Sequence, residues 1–104
     1  MTEAQIFKAL GDPLRIKIVA KLSDGSTYTL GDITEGLSIS RQAARKQVGV
    51  LVDAKILRLT PYGREVKVCL DIGTLDAGKR FIQRLETQWD KRLLRLKDLV
   101  EKRL

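Results

Sequence analysis

Six apolar residues in the last third of the chain, Ile82, Leu85, Trp89, Leu93, Leu96 and Val100, recur at intervals of 3, 4, 4, 3 and 4. That is the 3.6-residue period of an amphipathic α-helix. A helix over about residues 75–104 rises 1.5 Å per residue and reaches roughly 45 Å. A chain of 104 residues makes one small domain with one core, and such a core cannot cover so long a rod. The apolar stripe therefore calls for a partner, most simply the same helix of a second chain.

Charge points to a second partner. Twenty Lys and Arg against thirteen Asp and Glu leave a net charge of +7, and the excess is concentrated. Residues 1–40 carry four cations and five carboxylates, whereas residues 41–67 carry seven cations (Arg41, Arg45, Lys46, Lys55, Arg58, Arg64, Lys67) and only Asp53 and Glu65. Localised basicity of this kind suits a polyanion such as nucleic acid, or else forms a solvated basic face. Other chemistry is removed. With no His there is no imidazole for acid–base work or metal ligation. A lone Cys69 cannot close an intramolecular disulfide. No stretch approaches the ~18 apolar residues of a membrane span, and Met1-Thr2-Glu3 lacks the basic start of a signal peptide. The expectation is a cytoplasmic protein with no membrane partner, no metal and no cofactor. Nor does any residue set suggest an enzyme: Glu86 with Asp90, or Asp98 with Glu101, read as surface acids paired with nearby Lys and Arg.

Along the chain, Thr2 with Gln5 forms a capping box for a short helix carrying Ile6, Phe7 and Leu10, stopped by Gly11. Asp12-Pro13 restarts a helix as N-cap and first residue, with Leu14, Ile18, Val19 and Leu22 on one face. Ser23-Asp24-Gly25-Ser26 is a turn by composition. Thr29 and Asp32 cap a third helix with Leu30, Ile33 and Leu37, and Ser40 caps a fourth. On that fourth helix Arg41, Gln42, Arg45, Lys46 and Gly49 share one side, while Ala43, Ala44, Gln47, Leu51 and Ala54 share the other. Two short strands follow, Ile56–Leu59 and Glu65–Leu70, with Thr60–Arg64 between them and Pro-Tyr-Gly as turn chemistry. The fold expected is mainly α with a small β-hairpin.

Residues 30–54 have the form of a helix-turn-helix, and the hairpin at about 56–71 the position of a wing. A propped helix with a free basic face fits the DNA major groove, ~12 Å wide. There Arg forks to guanine and Gln to adenine. Arg41, Gln42 and Arg45 are thus the expected base readers, and Lys46 a phosphate contact. Arg64 and Lys67 of the wing would reach flanking phosphates or the minor groove. Tyr62 reads as a turn residue resting on its own strands, and Gln47 as a half-buried hydrogen-bonding residue. The alternative is a winged-helix module that grips a protein partner.

Three segments carry a family resemblance: Phe7-Lys8-Ala9-Leu10-Gly11-Asp12-Pro13-Leu14-Arg15, then Ile39-Ser40-Arg41-Gln42-Ala43-Ala44, then Gly63-Arg64-Glu65-Val66. In order and spacing the chain resembles the ArsR-type winged helix-turn-helix repressors over nearly its whole length. The resemblance implies a single domain over 1–104 that binds double-stranded operator DNA as a homodimer. It places Ser40, Arg41, Gln42, Arg45 and Lys46 in the recognition helix and Arg64 at the wing tip. It also pairs the chains through their first and last helices, with Ile6, Phe7, Leu10, Leu85, Trp89, Leu93 and Leu96 as dimerisation residues, and it gives Arg15 a structural role. Many such proteins sense metals through Cys-x-Cys near the third helix or His on the last. Here Thr27–Asp32 holds no Cys. Ser38 and Lys55 also stand where the family usually has glycine, at a cost on the order of 1 kcal/mol each if the backbone keeps positive φ.

Overall fold

The computed structural model describes residues 2–103. Its elements run α1 (Glu3–Leu10), α2 (Pro13–Lys21), a 3-10 turn (Leu22–Asp24), β1 (Tyr28–Thr29), α3 (Leu30–Leu37), α4 (Arg41–Asp53), β2 (Leu57–Tyr62), β3 (Glu65–Leu70) and α5 (Ile72–Arg103). Helices begin where a side-chain oxygen takes an orphan backbone N–H. Thr2 and Gln5 cap each other's N–H groups at 3.3 and 3.0 Å. Asp12 accepts from the N–H groups of Leu14 and Arg15 at 3.0 and 3.1 Å, and Pro13, first in the helix, forfeits nothing. Thr29 and Asp32 form a second reciprocal box, and the Ser40 hydroxyl accepts from Ala43 N–H at 3.1 Å. The last helix starts at Ile72, earlier than its apolar period indicates, because Asp71 accepts from the N–H groups of Gly73 and Thr74.

The core gathers Ile6 and Ala9 from α1, Ile18 and Leu22, Ile33 from α3, Ala44, Val48 and Leu51 from α4, and Ile56, Leu57 and Val68 around the hairpin. Each fully buried Ile, Leu or Val contributes roughly 1.5–3 kcal/mol. The sheet has the order β1-β3-β2, all antiparallel. Leu57, Leu59 and Pro61 of β2 stand opposite Leu70, Val68 and Val66 of β3, one apolar face turned toward the helices. Here the structure differs from the sequence expectation in two ways. A two-residue strand, β1, joins the hairpin. Pro61 and Tyr62 belong to β2, so that the turn is only Gly63-Arg64, between the paired residues Tyr62 and Glu65. Gly63 has φ 63° and Arg64 is not among the positive-φ residues, the pattern of a two-residue II′ hairpin turn. Proline is tolerated in β2 because that strand is an edge.

Past the core, α5 continues alone. Its 32 residues span roughly 48 Å, and every residue from Ile82 to Arg103 is exposed. The radius of gyration is accordingly 19.2 Å, with extents of 70 × 24 × 22 Å, against about 13 Å for a compact chain of this length.

Two non-glycine residues hold left-handed backbone: Ser38 at φ 53°, ending α3, and Lys55 at φ 60°, after α4. These are the two places where glycine was expected from the family pattern. Ser38→Gly and Lys55→Gly should each raise stability by up to about 1 kcal/mol, read as a shifted urea midpoint with unchanged slope.

Acid sensitivity follows from three carboxylates, of which Glu3 is held below its ordinary pKa by a backbone N–H and then by the Arg84 guanidinium. The Thr29 backbone N–H, and then the Thr29 hydroxyl, hold Asp32 below its ordinary pKa. The Tyr28 hydroxyl, and then the Ser26 N–H, do the same for Asp24. A depressed carboxylate contributes stability above its unfolded pKa and loses it as pH falls through the folded value. Circular dichroism from pH 7 to 2 should therefore show loss of structure only below the ordinary carboxylate range. With no His in the chain, no earlier step centred near 6.5 is expected.

Candidate nucleic-acid interface

Helix α4 is held by its inner face. Ala44, Val48 and Leu51 are buried, and Ala43 and Gln47 half-buried. Four residues apart, small and branched apolar groups alternate with polar ones, so the opposite face stays in water. That face presents Arg41, Gln42, Arg45 and Lys46, all exposed. The turn before it is closed by the left-handed Ser38 and by the Ile39 N–H, which donates to Thr34 O at 3.3 Å. Ser40 spends its oxygen as the α4 cap, leaving its hydroxyl proton free to donate.

A brace fixes the angle of α4. The Arg15 guanidinium donates through Nε to Ala9 O, through Nη2 to Lys8 O, and through Nη1 to Gln47 Oε1 at 2.9 Å. Both backbone acceptors lie at the end of α1, where a cation also suits the helix dipole; Lys8 O is shared with the Gly11 N–H at 3.2 Å. Arg15 thus ties α1, α2 and α4 together, and Gln47 is its acceptor on α4.

The hairpin closes one side of the basic face. Thr29, Leu30 and Gly31 at the start of α3, Arg41 and Arg45 of α4, and Arg64, Glu65 and Val66 of the hairpin line a single cleft of about 530 Å³. Three guanidinium groups meet one carboxylate there. Among the described residues, the ion pairs use other cations: Arg58, Arg80, Arg84 and Lys97. Lys67 is placed differently from Arg64. It is half-buried and its Nζ sits 4.0 Å from the centroid of the Tyr62 ring, a cation–π contact within the wing. Tyr62 therefore rests against its own hairpin while remaining 64% exposed. Sequence reasoning missed the contribution of Thr29 and Gly31 to this cleft, for which only the Thr29 cap was a signal.

The residues expected on the dimer face divide into two sets. Ile6 is only 1% exposed: it is spent in the protomer's own core, packed against Gly78 of α5, and is not available to a partner. Phe7 and Leu10 are half-buried and border a groove of about 470 Å³ that continues along α5 past Ile82 and Glu86. Leu85, Trp89, Leu93 and Leu96 are 48–61% exposed. Among the described residues no set of three His, Cys, Asp or Glu side chains is placed to hold a metal ion, and no helix is long and apolar enough to cross a membrane.

A basic helix propped by a second helix, with a basic hairpin beside it, defines a winged helix-turn-helix DNA-binding protein. Comparison with known proteins narrows this. A family described as a helix-turn-helix domain matches residues 10–60. The uncharacterized HTH-type transcriptional regulator YuzN of Bacillus subtilis (strain 168) is 40% identical over 65 residues, covering 57% of this chain and 71% of that protein. An ArsR-like transcriptional regulator from Rhodococcus sp. RHA1 superposes with a TM-score of 0.82 at 27% identity, covering 93% of this chain and 91% of the other. The homodimeric winged helix-turn-helix DNA-binding domain from Mycobacterium bovis shares the fold with a TM-score of 0.65 at 15% identity, over 86% of this chain and 80% of that one. The chain belongs to the HTH-type transcriptional regulators, with the winged helix-turn-helix fold of the ArsR-like ones.

The Arg15 brace is directly testable. Arg15→Met keeps the apolar stem and removes all three hydrogen bonds, leaving Ala9 O and the Gln47 side chain without this donor while Lys8 O keeps the Gly11 N–H. The expected cost is about 2–3 kcal/mol of unfolding free energy in urea titrations.

Proposed function

We propose that this regulator is a homodimeric repressor without enzymatic activity, and that it reads a near-palindromic operator through α4 while its hairpin flanks the site. The supporting observation is the meeting of Arg41, Arg45 and Arg64 around one open cleft, beside Gln42 and Lys46 on the exposed face of α4. Such a face matches DNA in charge and in shape. Arg41 and Arg45 fork to guanine O6 and N7, Gln42 to adenine N6 and N7, and Lys46, a compact point charge, takes phosphate. Arg64 extends the contact to the backbone beside the groove. Lys67, stacked on Tyr62, supplies charge to the wing without free reach.

A protein-docking face would carry aromatics or leucines, and α4 offers none outward. The dimer reading draws support from the exposed stripe of α5 and from the likeness in fold to the Mycobacterium bovis domain, which is itself homodimeric. Two α4 helices related by a two-fold axis would enter successive major grooves about 34 Å apart.

Mobility shifts against the DNA upstream of its own gene test the proposal. A sequence-selective complex that weakens steeply with salt is expected. Arg41→Ala or Arg45→Ala should each cost about 1–3 kcal/mol on the operator and little on random DNA, whereas Lys46→Ala should weaken both alike. No selective complex at low salt would end this reading.

A further inference from the structure

We propose that the cleft between α4 and the hairpin binds a small organic anion, one with an apolar body and a single carboxylate, which lowers operator affinity by taking the guanidinium of Arg45. The effect on the operator rests on the reading of Arg45 as a base contact; the binding site does not.

The walls are aliphatic. Val48 and Val52 of α4, Leu30 of α3, and Leu59, Val66 and Val68 of the hairpin border about 330 Å³, within the ~300–1,000 Å³ of small-molecule sites. Val48 and Val68 belong to the core, but Leu59 and Val66 are 51% and 48% exposed. Apolar surface thus faces water on both sides of the hairpin's contact with α4.

Gly49 deepens the cleft. It stands inside α4, where glycine costs about 1 kcal/mol against alanine. Its φ is not positive, and a Cβ there would meet nothing within 4 Å. Neither backbone conformation nor packing within the chain calls for glycine at this position. A larger side chain would project into the space beside Arg45, Val48, Val52 and Asp53, which share this face of α4 at helical spacing.

Charge sets the chemistry of the occupant. Arg45 borders the cleft at one end and Asp53, eight residues on, at the other, ~12 Å apart along the helix axis. Among the described residues the ion pairs involve neither of them. A guanidinium at the edge of an apolar cleft takes a carboxylate through two parallel hydrogen bonds. Asp53 lines a second groove with Lys8 and Arg15; those cations balance it, so it needs none from a ligand and repels a second carboxylate. The site therefore selects a monoanion. Arg45 also lines the basic cleft. One guanidinium cannot fork to guanine and to a ligand carboxylate together, so each partner lowers the affinity for the other by the same factor.

Titration of the methyl-labelled full chain with octanoate, without DNA, tests the site by nuclear magnetic resonance. Saturable shifts are expected at Val48, Val52, Leu59 and Val66, with octanol and the dicarboxylate suberate each binding roughly tenfold more weakly. Arg45→Met should abolish the preference for octanoate over octanol. Gly49→Leu, which fills the cleft, should abolish binding of both while its helical circular dichroism stays intact. The site is overturned by unmoved methyls, by equal shifts at Leu93 and Leu96 of α5, or by either variant behaving as the unaltered chain. Methyls that answer operator DNA but not octanoate assign the cleft to the DNA contact and overturn it as well. In mobility shifts, saturating octanoate should weaken the operator complex roughly 5- to 150-fold, and an unchanged complex overturns the competition. A chain that selects no operator even without octanoate fails the DNA reading instead, and the methyl titration still decides the site.

Discussion

One guanidinium connects the two ends of this molecule. Arg15 takes the last carbonyls of α1 and the side chain of Gln47 in α4. The helix that packs on α5 and the helix that carries the basic face are thereby joined through a single rigid fork. Hydrogen bonds from a charged donor are roughly twice as strong as neutral ones, and a helix end left without them would fray. The angle at which α4 stands out from the core, and hence whether four polar side chains share one accessible face, depends on this contact together with the burial of Ala44, Val48 and Leu51.

The rest of the architecture is a division of α4 by side-chain size. Alanine and valine behind let the helix sit close to α2 and to β2, while the residues in front are long and cationic. The hairpin then turns three separate arginines into one feature. Arg41 and Arg45 are a helix turn apart, but Arg64 is distant in sequence and arrives only because Gly63 takes φ 63° and reverses the strand in two residues. A bulkier loop would carry that guanidinium away from the α3–α4 cleft.

Much of this was legible beforehand, and the reasons differ by element. Caps are read from single side chains at fixed offsets, so Thr2, Asp12, Thr29 and Ser40 could be placed without any knowledge of tertiary structure. The two faces of α4 followed from the helical period, and the strained positions Ser38 and Lys55 from the family pattern. What was missed lacks local signal. Two residues cannot show a period of two, so β1 exists only through its pairing with β3. Pro61 and Tyr62 read as turn chemistry, yet an edge strand tolerates proline, and the cross-strand register extends through both. Asp71 starts α5 about three turns before its exposed stripe, where no apolar period yet marks a helix. Ile6 and Phe7 are neighbours on α1, and only the packing of Gly78 against Ile6 decides which of them is consumed inside the protomer.

The exposed length of α5 raises a question of stability that its composition answers. Helical order in water is gained mainly by packing an amphipathic face, and an isolated segment has little margin of its own. Beyond Ile82 the helix meets α1 at its start, where Arg84 pairs with Glu3 at 3.1 Å, and every residue from there to Arg103 is exposed. Lys97–Glu101 is the i,i+4 ion pair formed there among the described residues, worth only about 0.3–0.5 kcal/mol. Against this stand six large apolar side chains on one line, each losing its burial energy while it faces water. The two deficits have the same remedy. A second helix laid on the stripe supplies the packing that makes the segment helical and removes the apolar surface from solvent. In the homodimer proposed above, order in the last third of α5 and association of the chain would be one equilibrium, moving with concentration as any folding reaction linked to assembly does.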